Sequence, residues 1–373
     1  MVAIVNAFVA LLAAGAAVAV PLSTRDGACT TKTQRKAWHT LTNEEKKDYL
    51  DAELCLMAKP ASLNLTATKT KFDELQAIHH GQAYNIHNVG AFLPWHRMFV
   101  HAHEVLLRTE CDYEGPIVYW DETHDAGSFS TSDILDPETG FGGNGVGPDG
   151  CIGDGPFANY TSRFGPGYTI NDHCIYRNVM DVVSTAASQQ IIDRCLALHD
   201  ILDFWPCVEA APHAAGHGGI GGLMLDVVSS PGDPIFFLHH TWLDKIWWQW
   251  QAVDPATRLN AIGGPNKPTF GFPMPINGSF PGIPGNGTIP GFPGNGSFPG
   301  MPGMPGAGGP SGGIPSDLTD MMPPLELVDL EMAGDPSNVT TLGHVLDMFG
   351  VVPNATIADV MDTVGGLLCY EYV

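Results

Sequence analysis

Two sets of histidines in this chain are spaced to bind metal. His213 and His217 stand four apart, and a doublet, His239 and His240, follows 22 to 23 residues after His217. Positions i and i+4 share one face of a helix, so His213 and His217 can direct two imidazoles to one point. Pro212 suits the first position of that helix, where its missing N–H would be unpaired in any case. Beyond a glycine-rich loop, DPIFFLHHTWLDKIWWQWQ carries apolar and aromatic residues at helical spacing, so a second helix can bring the doublet to the same point. Three neutral imidazoles converging there suit zinc or copper better than calcium or magnesium.

One such triad is ambiguous, because catalytic zinc also takes three histidines and keeps an open position. The second set, in FDELQAIHHGQAYNIHNVGAFLPWHRMFVHAHEVLLR, places His79, His87 and His96 at intervals of 8 and 9. Two triads suggest two metal ions face to face, at the roughly 3.5–4 Å typical of two-metal sites. Three further histidines in this stretch, His80, His101 and His103, read as solvated or hydrogen-bonded side chains. His103 could share a face with His96, but seven residues put it roughly 10 Å along the axis, too far for the same ion.

These segments resemble the type-3 copper proteins, meaning tyrosinases, catechol oxidases and haemocyanins, and most closely the short secreted tyrosinase-like polyphenol oxidases of fungi. The resemblance rests on NIHNVGAFLPWHR, on His213 and His217, and on DPIFFLHHTWLDKIWWQWQ. RKAWHTLTNEEKKDYLDAELCL, PIVYWDETHD and the terminal GGLLCYEYV agree with it. It implies a mainly α fold: a four-helix bundle holding a binuclear copper centre, with long irregular loops and disulfides. It further implies that His79, His87 and His96 hold one copper ion and His213, His217 and His240 the other. The family's register selects His79 over His80 and His240 over His239. Asp244, one turn past His240, becomes a candidate acceptor that orients a ligand imidazole. An apolar wall of Phe92, Trp95, Phe236, Phe237 and Trp242 would shield the centre, and Arg35 would pair with Tyr370 and Tyr372 near the end of the chain.

Copper, unlike zinc, changes valence, so a pair of ions can supply two electrons to dioxygen and the centre can oxidise an o-diphenol to an o-quinone. Two departures from better-known relatives bear on phenol hydroxylation. Asn85 stands where many fungal enzymes have a cysteine cross-linked to the second ligand. Hydroxylating members often carry an asparagine just after the first ligand of the second copper, which holds a water together with an upstream glutamate. Here Glu209 is a candidate water-holding base, but Ala214 and Gly218 follow His213 and His217. The expected activity is therefore o-diphenol or o-aminophenol oxidation, with monophenol hydroxylation weak. The runner-up is a tailoring oxidase acting on a tyrosine or phenol in fungal secondary metabolism. A haemocyanin-like oxygen carrier would use the same histidines but belongs to larger assemblies, and a zinc hydrolase of the HExxH type has no motif here.

The elements that must position these residues are mostly helices. Thr42 followed by Glu45 forms a capping box for a helix running through Leu56. Residues 71–108 read as helix, loop and helix, with Asn88 and Gly90 in the loop and Pro94 starting the second helix. Residues 123–170 are rich in Gly, Pro, Asp and Ser and read as loop, where a Cys151–Cys174 bond would provide a tie. A helical pattern returns over residues 178–202.

Composition speaks to compartment and partners. With 17 basic against 40 acidic residues the formal charge is −23, which disfavours nucleic acid and anionic membrane surfaces. The almost wholly apolar residues 3–20 read as a secretory signal peptide occupying 1–20, and no membrane attachment is expected after its removal. The eight scattered cysteines suggest disulfides in an exported chain, and 105 connectivities are open to them. Seven N-x-[ST] triplets, beginning at Asn64, Asn159, Asn277, Asn286, Asn295, Asn338 and Asn354, predict N-glycans. Residues 21–373 then form a single copper domain, interrupted by a Pro/Gly-rich glycosylated insertion over 265–316. That insertion contains NGSFPGIPG, NGTIPGFPG and NGSFPGMPG. Its composition cannot build a helix or a paired strand, and its glycine period breaks within each copy, which excludes collagen. The expected partners are a small phenolic substrate and dioxygen.

Overall fold

The computed structural model describes residues 29–268 and 332–373. The expected signal peptide, residues 269–316 of the insertion and the triplets at Asn277, Asn286 and Asn295 lie outside the described residues. Helix α1 (Asn43–Ala58) begins at the Thr42 capping box, whose hydroxyl accepts from the Glu45 N–H at 3.2 Å while the Glu45 carboxylate accepts from the Thr42 N–H at 2.9 Å. A second capping box, Thr70 with Asp73, starts α2 (Lys71–Ile86). Helix α3 (Phe92–Cys111) begins two residues before the expected Pro94. Proline is tolerated there because N–H groups of the first turn have no partner within the helix.

The expected start at Pro212 needs correction. Helix α4 (Ile201–Val208) runs without a break through a π-helical turn, Glu209–His213, into α5 (Ala214–Ile220), so Pro212 lies inside a continuous helical run. Proline cannot donate to a carbonyl one turn back, and the wider π turn accommodates that missing bond. Helix α6 (Ile235–Val253) carries the doublet. Helices α2, α3, α4–α5 and α6 make the bundle, and its core contains Phe99, Phe236, Phe237, Trp242, Trp247 and Trp250, all 2 % exposed or less.

Residues 123–170 are more ordered than expected, with short helical turns and an antiparallel hairpin of Thr161–Phe164 with Ile170–Cys174. All eight cysteines are paired: Cys29–Cys369, Cys55–Cys111, Cys151–Cys174 and Cys195–Cys207. The third ties the hairpin's end to the preceding loop, and the second joins the C-terminal ends of α1 and α3. On either side of the residues not described, Asn266 donates to the Asp335 carboxylate (3.0 Å) and to the Ser337 carbonyl (2.8 Å).

A three-stranded parallel sheet has β1 (Thr33–Ala37) between β2 (Ile117–Tyr119) and β3 (Tyr370–Tyr372). It delivers Arg35 to a buried polar cluster. Nη1 of Arg35 donates to Asp244 (3.0 Å) and to the Tyr372 hydroxyl (3.1 Å), Nη2 donates to Glu104 (3.2 Å), and the guanidinium lies 3.4 Å from the Tyr370 ring centroid. The Tyr370 and Tyr372 hydroxyls and Nε of Arg97 also reach Asp244. Arg97 continues to the carbonyls of Val360 (3.0 Å) and Met361 (3.1 Å). Asp244 is thus corrected from its expected role: its carboxylate is held by two arginines and two tyrosines, not by an imidazole. Counted along α6 it shares a face with His240 one turn further on, where β1 and the terminal strand, rather than an imidazole, meet it. The network sets α3 and α6 against each other at Arg97, next to His96, and at Asp244, one turn past His240.

Candidate metal centre

Two buried groups of imidazoles lie side by side in the bundle. His79 comes from α2, His87 from the residue just past its end, and His96 from α3. One ring nitrogen of each lies within 4.8 Å of the others. In the second group, His213 and His217 from the π turn and α5 join His239 and His240 of α6 within the same limit. The groups touch: the His96 and His240 rings stack at 4.2 Å, and His87 and His213 stand 6.0 Å apart between centroids. The bundle therefore brings together all six sequence-predicted histidines.

Local structure aims each ring. Asn88 takes a left-handed conformation (φ 57°), which turns the chain at the end of α2 and presents His87. Nδ1 of His79 donates to the Val228 carbonyl (3.0 Å), of His87 to Ala83 (2.8 Å), of His96 to Phe92 (2.8 Å), of His213 to Glu209 (3.1 Å) and of His217 to Met224 (2.6 Å). A donating Nδ1 leaves Nε2 as a lone pair, which is how a metal-ligating histidine is oriented. Nε2 of His79, His96 and His213 is buried with no hydrogen-bond partner. The Nε2 atoms of His217 and His240 face one another at 3.2 Å. Unpartnered buried nitrogens pointing together suit a cation that takes nitrogen ligands, so these residues fit copper.

Burial drives the proton off these rings. It lowers the pKa of His87 to about 4 and of His217 to about 3, and pushes His79, His96, His213 and His240 well below the ordinary value, with neighbouring imidazoles adding to the effect. Glu209 is shifted the opposite way, to about 8, by burial and against the Asn88 N–H that its carboxylate accepts at 2.7 Å. The same residue's carbonyl holds His213, so Glu209 links the turn bearing His87 to the second group.

The sign of each shift gives a pH dependence. A histidine depressed in the folded state stabilises above its unfolded pKa of about 6.5 and loses that contribution as pH falls through its folded value. A carboxyl raised in the folded state contributes below about 4.5 and loses it as pH rises through about 8. Metal-free protein should therefore show a urea midpoint that falls steeply from pH 6.5 toward pH 4 and drifts down gently from pH 6.5 to 8. Urea titration across pH 4–8 checks this, and Glu209→Gln should reduce the alkaline drift without removing it, because burial also holds the Glu122 carboxyl well above its ordinary value.

Around the groups, Phe92 lies 4.8 Å from both His96 and His213, Phe236 4.2 Å from His240, and Trp95 5.0 Å from His96. Phe237 stacks instead on His103 at 3.9 Å, and Trp242 is 6.3 Å from His239. The other histidines of the first stretch lie outside both groups. The His80 ring packs on Phe164 and Tyr168, His103 pairs with buried Glu53 at 2.8 Å, and His101 is half-buried. The structure sets His239 beside His240 in the second group, as the doublet allowed, and adds Glu122, whose carboxyl oxygen lies 2.5 Å from its Nδ1. The doublet was the available signal for the histidine. Glu122 carried none, being one acidic residue among several in YWDETHD.

The family model for the common central domain of tyrosinase matches residues 69–253, which span every residue of both groups. A tyrosinase-like protein of Diaporthe leptostromiformis is 36% identical over 265 residues, covering 64% of this chain and 68% of that protein. The chain belongs to the tyrosinase family. Tyrosinase P of Aspergillus terreus is 30% identical over 289 residues, covering 63% of this chain and 80% of the relative. Among solved structures, a polyphenol oxidase variant from Thermothelomyces thermophila superposes with a TM-score of 0.67 at 26% identity, covering 92% of this chain and 89% of that one. The tyrosinase-family cofactor is a binuclear copper centre, and the two buried histidine groups are compatible with it.

Proposed function

We propose that the chain is an exported polyphenol oxidase that uses dioxygen to oxidise o-diphenols to o-quinones, with o-aminophenols as further substrates. His79, His87 and His96 would hold one copper ion and His213, His217 and His240 the other. The observation that carries this reading is the pair of adjoining imidazole groups with Nδ1 anchored on backbone carbonyls and buried nitrogens converging. A copper pair there supplies reversible two-electron exchange with dioxygen. Phe92, Phe236 and Trp95 exclude water, the carbonyls of Val228, Ala83, Phe92, Glu209 and Met224 fix the tautomers, and half-buried His213 marks the side a phenol approaches.

Diphenol preference follows from the residues near His213. A Glu209 carboxyl that keeps its proton up to about pH 8 is a poor base at neutral pH, and neither Ala214 nor Gly218 offers a side-chain amide to hold a water beside it. Ala214→Asn is expected to raise the ratio of tyrosine to catechol oxidation by roughly tenfold, short of the ~10²–10⁴-fold of a fully positioned proton acceptor because the amide only holds the water. An unchanged ratio in oxygen-uptake assays would reject this account.

The function is tested by loading the protein with copper, recording the near-ultraviolet absorption gained on adding hydrogen peroxide, and following oxygen uptake with catechol and with tyrosine. New absorption with catechol turnover supports the oxidase. Absorption without turnover of simple catechols favours a narrow tailoring oxidase, and no absorption rejects a coupled copper pair. Export and one interrupted copper domain belong to the same proposal. They are supported by the four disulfides, by the exposed asparagines Asn64, Asn159, Asn338 and Asn354 of the triplets, and by the bonds joining Asn266 to residues 335–337. Among the described residues no helix is long and apolar enough to cross a membrane.

A further inference from the structure

The five imidazoles that anchor Nδ1 on a backbone carbonyl do so in two ways. His87, His96 and His213 each use the carbonyl four residues earlier in their own helical run, at Ala83, Phe92 and Glu209. His79 and His217 reach outside their helices, and both reach the same segment. His79 on α2 donates to the Val228 carbonyl (3.0 Å), and His217 on α5 donates to that of Met224 (2.6 Å). One stretch of five residues, 224–228, therefore holds one ring of each group.

Its side chains show how it lies. Met224 and Val228 are buried, whereas Leu225 between them is 53 % exposed, so the segment crosses the bundle as a strap with both ends turned inward. Gly221 and Gly222, at φ 65° and 55°, lead the chain out of α5 into it, and a Cβ on either would lie within 2.4 Å of the Asn178 or Tyr176 carbonyl oxygen.

Asp226, at the centre of the strap, holds its shape. Its Oδ1 accepts the N–H of Val228 (2.9 Å) and of Ser229 (3.2 Å), which bends the backbone so that the Val228 carbonyl faces His79. Its Oδ2 accepts the N–H of Gly167 (2.6 Å), in the turn that joins Thr161–Phe164 to Ile170–Cys174. That hairpin is itself bonded to α2, where the Ser162 hydroxyl donates to Gln76 (2.7 Å). An aspartate that merely closes its own turn needs only the N–H two residues on. The bond to Gly167 fixes the strap to a second element, and through it to the helix that carries His79.

We propose that Asp226 is a positioning residue for both halves of the centre: through the strap it sets where His79 and His217 stand relative to one another, and hence how closely the two ions approach. The inference rests on the two groups being copper sites. The experiment titrates metal-free protein with copper(I) against a chromophoric chelator. It also records the electron paramagnetic resonance of protein carrying two copper(II) ions per chain, in which ions close enough to couple give little signal. Asp226→Ala is expected to weaken both binding constants together, by roughly tenfold each, the low end of what losing an outer hydrogen-bond partner costs a metal site. It should also raise the signal of the doubly loaded protein. Asp226→Asn keeps an oxygen for Val228 and Ser229 but turns an amide toward Gly167, so it should fall between, and it carries the test if the alanine variant does not fold.

Asp136→Ala is the control. It removes a carboxylate that accepts from the N–H groups of Glu138 (2.8 Å) and Thr139 (2.7 Å) in another loop, and should leave both constants and the signal at their wild-type values. A lower urea midpoint in Asp226→Ala with constants and signal unchanged overturns the inference and leaves the copper reading intact. A loss at one site alone also overturns it, because the strap would then not join the two groups. An equal loss in Asp136→Ala does so as well, because lowered stability would account for both. Wild-type protein that binds no copper would overturn the inference and the copper reading together.

Discussion

His217→Ala is expected to bind one copper ion per chain instead of two, and to lose oxygen uptake with catechol by at least about 10⁴-fold, the scale on which one member of a cooperating catalytic group acts. Copper analysis, oxygen uptake and far-ultraviolet circular dichroism on the same preparation check it. The fold should survive, because His217 sits at the edge of its group with 9 % of its surface exposed and makes one structural bond, to the Met224 carbonyl. Leaving that carbonyl without its donor costs about 1–3 kcal/mol, a fraction of the stability of a well-packed domain. Dioxygen takes two electrons and one copper ion supplies one, so activity should not persist at half the wild-type level. Turnover with one copper bound would show that the second group is not part of the reacting centre, and turnover with two bound would show that His217 is not a ligand.

Asp244→Ala acts one turn further along α6 and should have the largest effect on stability. Its carboxylate is buried between Arg35 and Arg97 and accepts from the Tyr370 and Tyr372 hydroxyls. Removing one partner of such a group strands the remaining charges, at a cost of about 3–5 kcal/mol. Urea denaturation should show that loss in metal-free protein, with Asp244→Asn falling between the variant and wild type because it keeps the shape and part of the hydrogen bonding. Copper retention should fall as well, since Arg97 follows His96 directly and Asp244 lies one turn beyond His240. A wild-type midpoint in Asp244→Ala would mean that the network does not hold the helices in place.

The sequence by itself determined where the histidines stand and which helices carry them. Those signals are local: His213 and His217 share a face because a helix repeats every 3.6 residues, and Thr42 with Glu45 starts α1 because both donors and acceptors lie within one turn. The loop at Asn88 was legible for the same reason, and its left-handed backbone came with the structure. What only the tertiary structure decided depends on residues far apart in the chain. Cys29 meets Cys369 across 340 residues, and β1 carries no apolar alternation of its own, because its partners Ile117–Tyr119 and Tyr370–Tyr372 supply the pairing. Pro212 looked like a helix start because its neighbours alone could not show that α4 arrives from behind through a π turn. Asp244 looked like an acceptor for an imidazole because spacing along α6 gives its distance from His240 but not what faces it from β1, α3 and the terminal strand. His239 and Glu122 are 117 residues apart, and only the approach of the chain after β2 to α6 at Gly216 makes them a pair. Periodicity says which way a side chain leaves its own helix, whereas the partner it meets is set by how the helices and strands pack.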